Sequence, residues 1–539
     1  MRDKALLDIS TINRPKKSTG PQGPGPIPAL TVVSHSMLDR VGDRLLLQAL
    51  TLGRQVAISR TEPDFIPPGE ALGRPLSDPG LSRRKPLLLT PGSRPGAIRL
   101  EASEGNPVVV PGAAPQGPWE FSAEQVASGV PLELAERVVL LLHLADPTAQ
   151  EKVDALGMVG TSIGIHQVRR HIEQVADLGV PVLIRGETGS GKELIAQAIH
   201  QSSHRRDKAF VTVNLGALTK ELATAELFGA AKGAYTGAVK DREGFFRAAQ
   251  GGTLFLDEVA EAPPEVQAML LRVLETGEIY PVGERTPVKV DVRLIAATDA
   301  PLEQQSQEGR FKAPLMHRLG GYTIRVPPLR ERREDIGLLF LHFARQQLEA
   351  LGEGHRLNPS DVEGEPWLPA SLASRLVRYA WPGNIRQLHN VTRQIVIGSR
   401  GLPSLRLDPA LEQDLSGPTP APAPVSPPTA EPPAPPGKAP PRRKISDYSE
   451  EEIVGTLEAK SWEIKKAAEQ LGVARTTLYD WLERNPHVRS ASSLSKEELA
   501  RHYRDCQGDL ELMSQRLKMS RWALVRRLKE LGLLEDTST

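Results

Sequence analysis

The chain has 539 residues, with 67 Lys and Arg against 66 Asp and Glu and a formal net charge of +1. That balance excludes a protein that holds nucleic acid by bulk charge, though not one with a local basic surface, and the single cysteine, Cys506, excludes an intrachain disulfide and a cysteine-based zinc cluster. The opening MRDKALLDIS lacks the apolar core of a signal peptide, and the longest strongly apolar run, residues 138–142, is too short to span a bilayer. A cytoplasmic protein with no membrane partner is expected.

Residues 1–28 are rich in Pro, Gly and charge and predict a disordered arm. Over 29–125, short apolar runs (ALTVV, QVAIS, KPLLLT, AIRLEA, NPVVVP) recur between turn residues, which predicts an all-β sandwich. Within 126–156, PLELAERVVLLLHLADP has apolar residues at helical spacing and a Pro near its end, and predicts a linker helix. Residues 157–330 alternate strand-like runs (VPVLIRG, FVTVNLG, GTLFLDEV, VRLIAAT) with amphipathic stretches, the pattern of an α/β domain with a parallel sheet. Strand signals stop there, and 331–405 predicts a small helical lid. Over 406–444 proline is too frequent for a core and predicts an extended linker. Two helical segments, 445–486 and 494–534, close a multidomain chain with an all-α C-terminus.

The segment VPVLIRGETGSGKE carries Gly186, Gly191 and Lys192 in the spacing G-x-x-x-x-G-K, between an apolar strand and a helical pattern. Backbone N–H groups of Gly186, Glu187, Thr188, Gly189, Ser190 and Gly191 can cradle phosphate oxygens at the helix start, and Lys192 can reach the outer phosphates. Glu193 stands where a magnesium-touching Ser or Thr is usual. Downstream, GGTLFLDEV delivers Asp257 and Glu258 to the C-terminal edge of a strand, where ligands bind in open parallel sheets. Asp257 there suits Mg²⁺ and Glu258 suits the attacking water.

From residue 159 to about 399 the sequence resembles the AAA+ domain of bacterial sigma-54-dependent transcription activators, the enhancer-binding proteins. GETGSGKE, with Glu193 after the lysine, is similar to that family's own phosphate loop. KGAYTGA resembles its sigma-54-contacting loop, usually GAFTGA; the positions are Gly233, Ala234, Tyr235, Thr236, Gly237 and Ala238, with Tyr in place of Phe. Asn214 matches the asparagine that couples the Walker B glutamate to that loop. Thr298 and Asp299 occupy sensor I, with Asp replacing Asn. Arg318 matches an arginine finger, while Lys312 replaces a second arginine and Pro314 a usual Asp. WPGNIRQLHN resembles the sensor II segment, with Arg386 turned to the nucleotide.

The resemblance implies an ATPase using ATP and Mg²⁺, assembled as a hexameric ring. Arg318 would enter the neighbouring site, and hydrolysis would move the loop against the sigma-54 RNA polymerase holoenzyme. An AAA+ remodeller of another partner, such as a protease-linked unfoldase, and a non-enzymatic DNA-binding repressor are the competing readings.

Residues 465–484, KKAAEQLGVARTTLYDWLER, resemble a Fis-type helix-turn-helix, which implies enhancer DNA contacts from Arg475, Thr476, Thr477 and Tyr479. The second helical pair reads as another helix-turn-helix, which is less usual, or as a dimer-forming pair. From Arg442 onward 18 basic residues face 17 acidic ones, so net charge does not argue for DNA. The amino-terminal β region faintly resembles a forkhead-associated domain. That would make Arg60, Ser82 and Arg83 phosphothreonine ligands and Asn106 a peptide-backbone ligand, with a Ser/Thr kinase upstream. An ordinary sandwich with surface arginines is the alternative.

Overall fold

The first nine strands form two antiparallel sheets: β1 (Ile27–Ser34), β2 (Arg44–Leu46), β3 (Val56–Ile58), β4 (Leu87–Pro91), β5 (Ile98–Ala102), β6 (Val108–Val109), β7 (Trp119–Phe121), β8 (Val130–Leu134) and β9 (Val138–Ala145). One sheet runs β2-β1-β9-β8-β6 and the other β3-β4-β5-β7. Their alternate side chains, among them Leu30, Leu89, Leu100, Trp119 and Leu140, make one core. The computed structural model describes residues 25–103, 107–148, 154–234, 241–357 and 364–415, together with 452–453, 455–456, 471, 478, 496–506, 513, 516–517 and 528. The chain divides into two units, Met1–Pro424 and Val425–Thr539.

The expected linker helix over 126–156 is corrected. After the short helices α1 (Gln48–Thr51) and α2 (Ala123–Ser128), residues 130–145 fold as the β8–β9 hairpin, with Val130 opposite Leu142 and Leu134 opposite Val138. Ala135 and Glu136, both at positive φ, make its turn. The reason is burial on both faces of β9. Val138, Leu140 and Leu142 enter the core of the two sheets, whereas Val139 and Leu141 enter the core of the lid. A strand buried on both sides is apolar at every position and loses the two-residue alternation that distinguishes it from a helix. Two boundaries also shift. β1 begins at Ile27, inside the expected arm, and the lid continues past 405, because Leu405 and Leu415 are buried in its core.

A hairpin of β10 (Asp154–Ala155) and β11 (Met158–Val159) leads into the α/β domain. Five parallel strands, β12 (Val182–Arg185), β13 (Phe210–Asn214), β14 (Thr253–Asp257), β17 (Arg293–Thr298) and β18 (Tyr322–Arg325), stand in the order β13-β14-β17-β12-β18. A small hairpin, β15 (Glu278–Ile279) with β16 (Val288–Lys289), is separate. α3 (Ile163–Val175) and α4 (Lys192–Gln201) supply the core on one face of the sheet; α5 (Lys220–Phe228), α6 (Phe245–Ala248), α7 (Pro264–Thr276), α8 (Leu302–Gln307) and α9 (Ala313–Leu319) supply that on the other. The expected alternation of strand and helix is thus the observed architecture.

The lid comprises α10 (Ile336–Ala350), α11 (Ala370–Arg378), α12 (Asn384–Gly398) and α13 (Pro409–Asp414). Its core is shared with the first sheet and the turn after β1: Val33, Val139 and Leu141 of the sheet and Leu38 of the turn lie among Phe340, Trp367, Leu376 and Leu388. Each large aliphatic group buried this way stabilises by roughly 1.5–3 kcal/mol. Gly337 lets α10 pass close to the backbone of Val33, where a Cβ would meet the Val33 carbonyl. Polar ties from both sides meet at the entry to α3. Arg44 donates from Nη2 to the carbonyl and hydroxyl oxygens of Thr161, at 3.2 and 3.0 Å, and buried Asp335 accepts from the backbone N–H groups of Thr161 and Ser162.

In the second unit the described residues include a helix, Lys496–Asp505. The expected DNA-reading residues Arg475, Thr476, Thr477 and Tyr479 lie outside the described residues. Among the described residues no helix is long and apolar enough to cross a membrane.

Candidate active site

The phosphate loop leaves the C-terminal end of β12, where Gly186 N–H donates to the carbonyl of Thr298 on β17 at 3.1 Å. Gly189 and Gly191 have φ of +76° and +99°, in the left-handed region that glycine enters without strain. Gly191 is the N-cap of α4, so the loop amides gather at a helix N-terminus. Lys192 curls back over the loop, its Nζ donating to the carbonyls of Gly186 at 2.8 Å and Glu187 at 3.2 Å. Burial holds its pKa below the usual lysine range, against the opposing pull of Asp299, Asp257 and Glu258. Glu193 lies in the first turn of α4, where the helix dipole favours a carboxylate. Ser190 is buried, and among the described residues its hydroxyl has no hydrogen-bond partner.

Asn214 and Asp257 end neighbouring strands in direct register. Glu258 follows at φ 54°, ψ 44°, a left-handed conformation unusual for a non-glycine residue, and its N–H donates to Asp257 Oδ1 at 3.0 Å. Such strained positions cluster at functional sites. Asn214 Oδ1 accepts from Ala217 N–H at 3.2 Å. Gly216 lies between: a Cβ there would meet Glu258 Oε2 and stand 3.3 Å from Asn214 Oδ1. The structure therefore brings Asn214, Asp257 and Glu258 together.

Thr298 ends β17, its hydroxyl oxygen accepting from Ala300 N–H at 3.0 Å. Asp299 accepts from the Thr188 hydroxyl at 2.6 Å, a role that an acceptor-only side chain fills. From the lid, Arg386 N–H donates to the Gly189 carbonyl at 3.3 Å. A cleft of about 600 Å³ opens beside the loop, lined by Arg185, Glu187, Asp299, Glu303, Arg325 and Glu331. Arg318 is elsewhere. It is well exposed on α9, and among the described residues its one ion pair is with Glu275 at 3.9 Å. Lys312 caps α9 and Pro314 occupies its first turn, where a missing N–H costs nothing.

The candidate loop for a partner protein is described only at its base. Ala230 bridges to Arg242 and Val282, and Lys232 N–H donates to Asp241 Oδ1 at 2.7 Å. Gly233 and Ala234 follow; Tyr235, Thr236, Gly237 and Ala238 lie outside the described residues. In the amino-terminal sheets Arg60 N–H donates to the Ser82 carbonyl at 3.1 Å, and Ser82 Oγ accepts from Arg84 and Lys85 N–H. Arg83 is exposed and Asn106 lies outside the described residues.

Three site residues escaped sequence reasoning. Gly216 is one. Arg330 is another, forming a two-pronged ion pair with Glu187 at 2.8 and 2.6 Å that holds the Glu187 carboxyl below its ordinary range. The third is Asn384, buried at the start of α12 and bonded to the loop. The Gly-Asn pair opening a helix inside WPGNIRQ was the available signal for it.

A phosphate loop, a strand-end Asp-Glu pair and a helical lid resting on that loop define a nucleotide-hydrolysing domain. A family model described as the Sigma-54 interaction domain matches residues 158–325, and one described as the AAA+ ATPase lid domain matches 330–414. The DNA-binding transcriptional regulator NtrC of Escherichia coli (strain K12) is 34% identical over 429 residues, 78% of this chain and 80% of that protein. NtrC of Salmonella typhimurium is 40% identical over 306 residues, 56% of this chain and 61% of its own length. The crystal structure of NtrX from Brucella abortus is 31% identical, covering 69% of each chain with a TM-score of 0.42. The chain belongs to the NtrC family of sigma-54-dependent transcriptional activators, and its α/β domain with its lid is an ATPase.

Proposed function

We propose that the protein hydrolyses ATP at the seams of a hexameric ring and uses the energy to remodel sigma-54 holoenzyme at promoters. Lys192 holds the outer phosphates, and Glu258 orients the attacking water. Arg318 enters the neighbour's site and meets charge developing on the transferred phosphoryl group. Asp257 would hold Mg²⁺. That ion takes one or two carboxylates plus phosphates, and among the described residues there is no cluster of three or more His, Cys, Asp or Glu that could hold a metal ion. When bound, Mg²⁺ neutralises phosphate charge.

The observation that carries this reading is the register of Asn214 with Asp257 at two strand ends, with the Glu258 carboxylate beside them over Gly216, in a domain that also pins the base of the 233–238 loop. Loss of the γ-phosphate would reposition Glu258 and Asn214 and so move the loop. Thr236→Ala is expected to keep ATPase activity and lose open-complex formation, read by permanganate footprinting of a sigma-54 promoter. Normal promoter opening by that variant would refute the loop assignment.

Two further parts complete the proposal. Arg475, Thr476, Thr477 and Tyr479 contact upstream DNA. The two amino-terminal sheets form a forkhead-associated-like sandwich whose Arg60, Ser82 and Arg83 grip a phosphothreonine and whose Asn106 holds its peptide, gating the ATPase downstream of a Ser/Thr kinase. The adjoining Arg60 and Ser82 backbones and the core shared by sheet and lid support this gating. Fluorescence polarisation with a phosphothreonine peptide library tests it: binding by the wild type and equally by Arg60→Ala would exclude the site.

A further inference from the structure

Asn384 is fully buried, opens α12 at φ 52°, and bonds to three separate pieces of backbone and side chain. Its Oδ1 accepts from Leu329 N–H at 2.8 Å, where the chain leaves β18 for the lid. Its Nδ2 donates to Glu187 Oε2 and to the carbonyl of Thr188, both at 3.1 Å. The orientation of the amide is dictated by its neighbours. An N–H can only donate, and a carboxylate and a carbonyl can only accept, so Oδ1 must face Leu329 and Nδ2 must face the loop. The other arm of the junction is Arg330, paired with the same Glu187 carboxylate. Thr188 in turn donates its hydroxyl to Asp299.

One side chain therefore joins the entry to the lid, the first turn of the lid's α12, and two residues of the phosphate loop. Asparagine answers both demands of the position: it tolerates the left-handed backbone, and it offers a donor and an acceptor on one planar group. Aspartate has the same shape and backbone tolerance and keeps the acceptor for Leu329. It loses both donors, and sets a second carboxylate against Glu187.

We propose that Asn384 is a positioning residue of the ATPase, holding the Glu187–Thr188 segment in its nucleotide-receptive geometry and coupling that geometry to the lid. The proposal rests on ATP as the substrate of this loop. Its test uses the full-length protein, with ATPase kinetics of Asn384→Asp, Glu187→Gln and the double variant, and Lys192→Ala alongside. Hydrogen bonds involving a charged group are the stronger kind, so Asn384→Asp is expected to raise KM for ATP by roughly tenfold or more while kcat stays within about threefold. Glu187→Gln alone keeps an acceptor for Asn384 but loses the two-pronged pair with Arg330, so its own KM is the reference against which the double variant is read. In the double variant the new glutamine can donate to the new aspartate while the Thr188 carbonyl stays without its donor, so part of the KM defect, read against Glu187→Gln alone, should disappear. That recovery separates positioning from general loss of structure. An unchanged KM in Asn384→Asp, or a raised KM that the double variant fails to recover, overturns the proposal. Should Asn384→Asp fail to fold, Asn384→Gly keeps the left-handed backbone and deletes the amide, and its KM decides in the same sense. ATP turnover retained by Lys192→Ala would instead remove the site itself, and the proposal with it.

Discussion

The carboxylate of Glu258 lies over Gly216, in the space that a side chain on Gly216 would need, with Asn214 Oδ1 3.3 Å from the same point. The backbone of Gly216 is not among the positive-φ glycines, so alanine is conformationally acceptable there. Gly216→Ala should therefore act by displacing Glu258. Since a positioned base contributes on the order of 100-fold or more, kcat is expected to fall by at least about tenfold with KM for ATP little changed. Steady-state ATPase assays with fluorescent-nucleotide binding measure both; a wild-type kcat would show that the Glu258 position does not matter to turnover.

Arg318 is exposed on α9, where it faces Glu275. If it serves a neighbouring subunit, Arg318→Ala binds ATP but does not hydrolyse it, and Lys192→Ala does not bind. A mixture of the two inactive proteins then contains seams that combine an intact Lys192 site with an intact Arg318. Mixing is expected to restore measurable ATPase activity, read by phosphate release over a range of ratios. Arg318→Ala turning over at the wild-type rate would exclude the finger role.

The seam between the amino-terminal sheets and the lid holds two buried titratable groups 3.8 Å apart, His143 and Glu334. His143 Nδ1 faces the Leu144 carbonyl and must donate to it, leaving Nε2 to accept from the Thr31 hydroxyl. Burial pushes His143 down from 6.5 to about 3 and pushes Glu334 up from 4.5 to about 8, with Asp335 adding to the rise. For the histidine, the unfolded chain binds the proton more readily, so its stabilising contribution is present above pH 6.5 and is lost as pH falls towards about 3. For the glutamate the folded chain binds the proton more readily, so its contribution is complete below pH 4.5 and is lost as pH rises through about 8. Glu334→Gln should remove the alkaline loss. Its thermal midpoint is expected to drop less than that of the wild type between pH 6.5 and about 8, and equal drops would count against the buried neutral acid.

Much of the nucleotide site was legible because its requirements are local. The glycines at 189 and 191 are needed for left-handed backbone, Lys192 for the first helical turn, and Asp257 and Glu258 for a strand end; each is specified within a few residues of chain. The α/β class was legible for the same reason, since alternation of period needs no distant partner. Tertiary structure alone decided the rest. Whether 138–145 was strand or helix depended on two cores meeting on opposite faces of β9, a fact absent from the run's own uniform apolarity. Asn384 and Arg330 acquired their roles from loop residues 196–197 and 143 positions away. A buried amide or an ion pair takes its meaning from the groups that folding brings to it, and those groups leave no pattern in the neighbouring sequence.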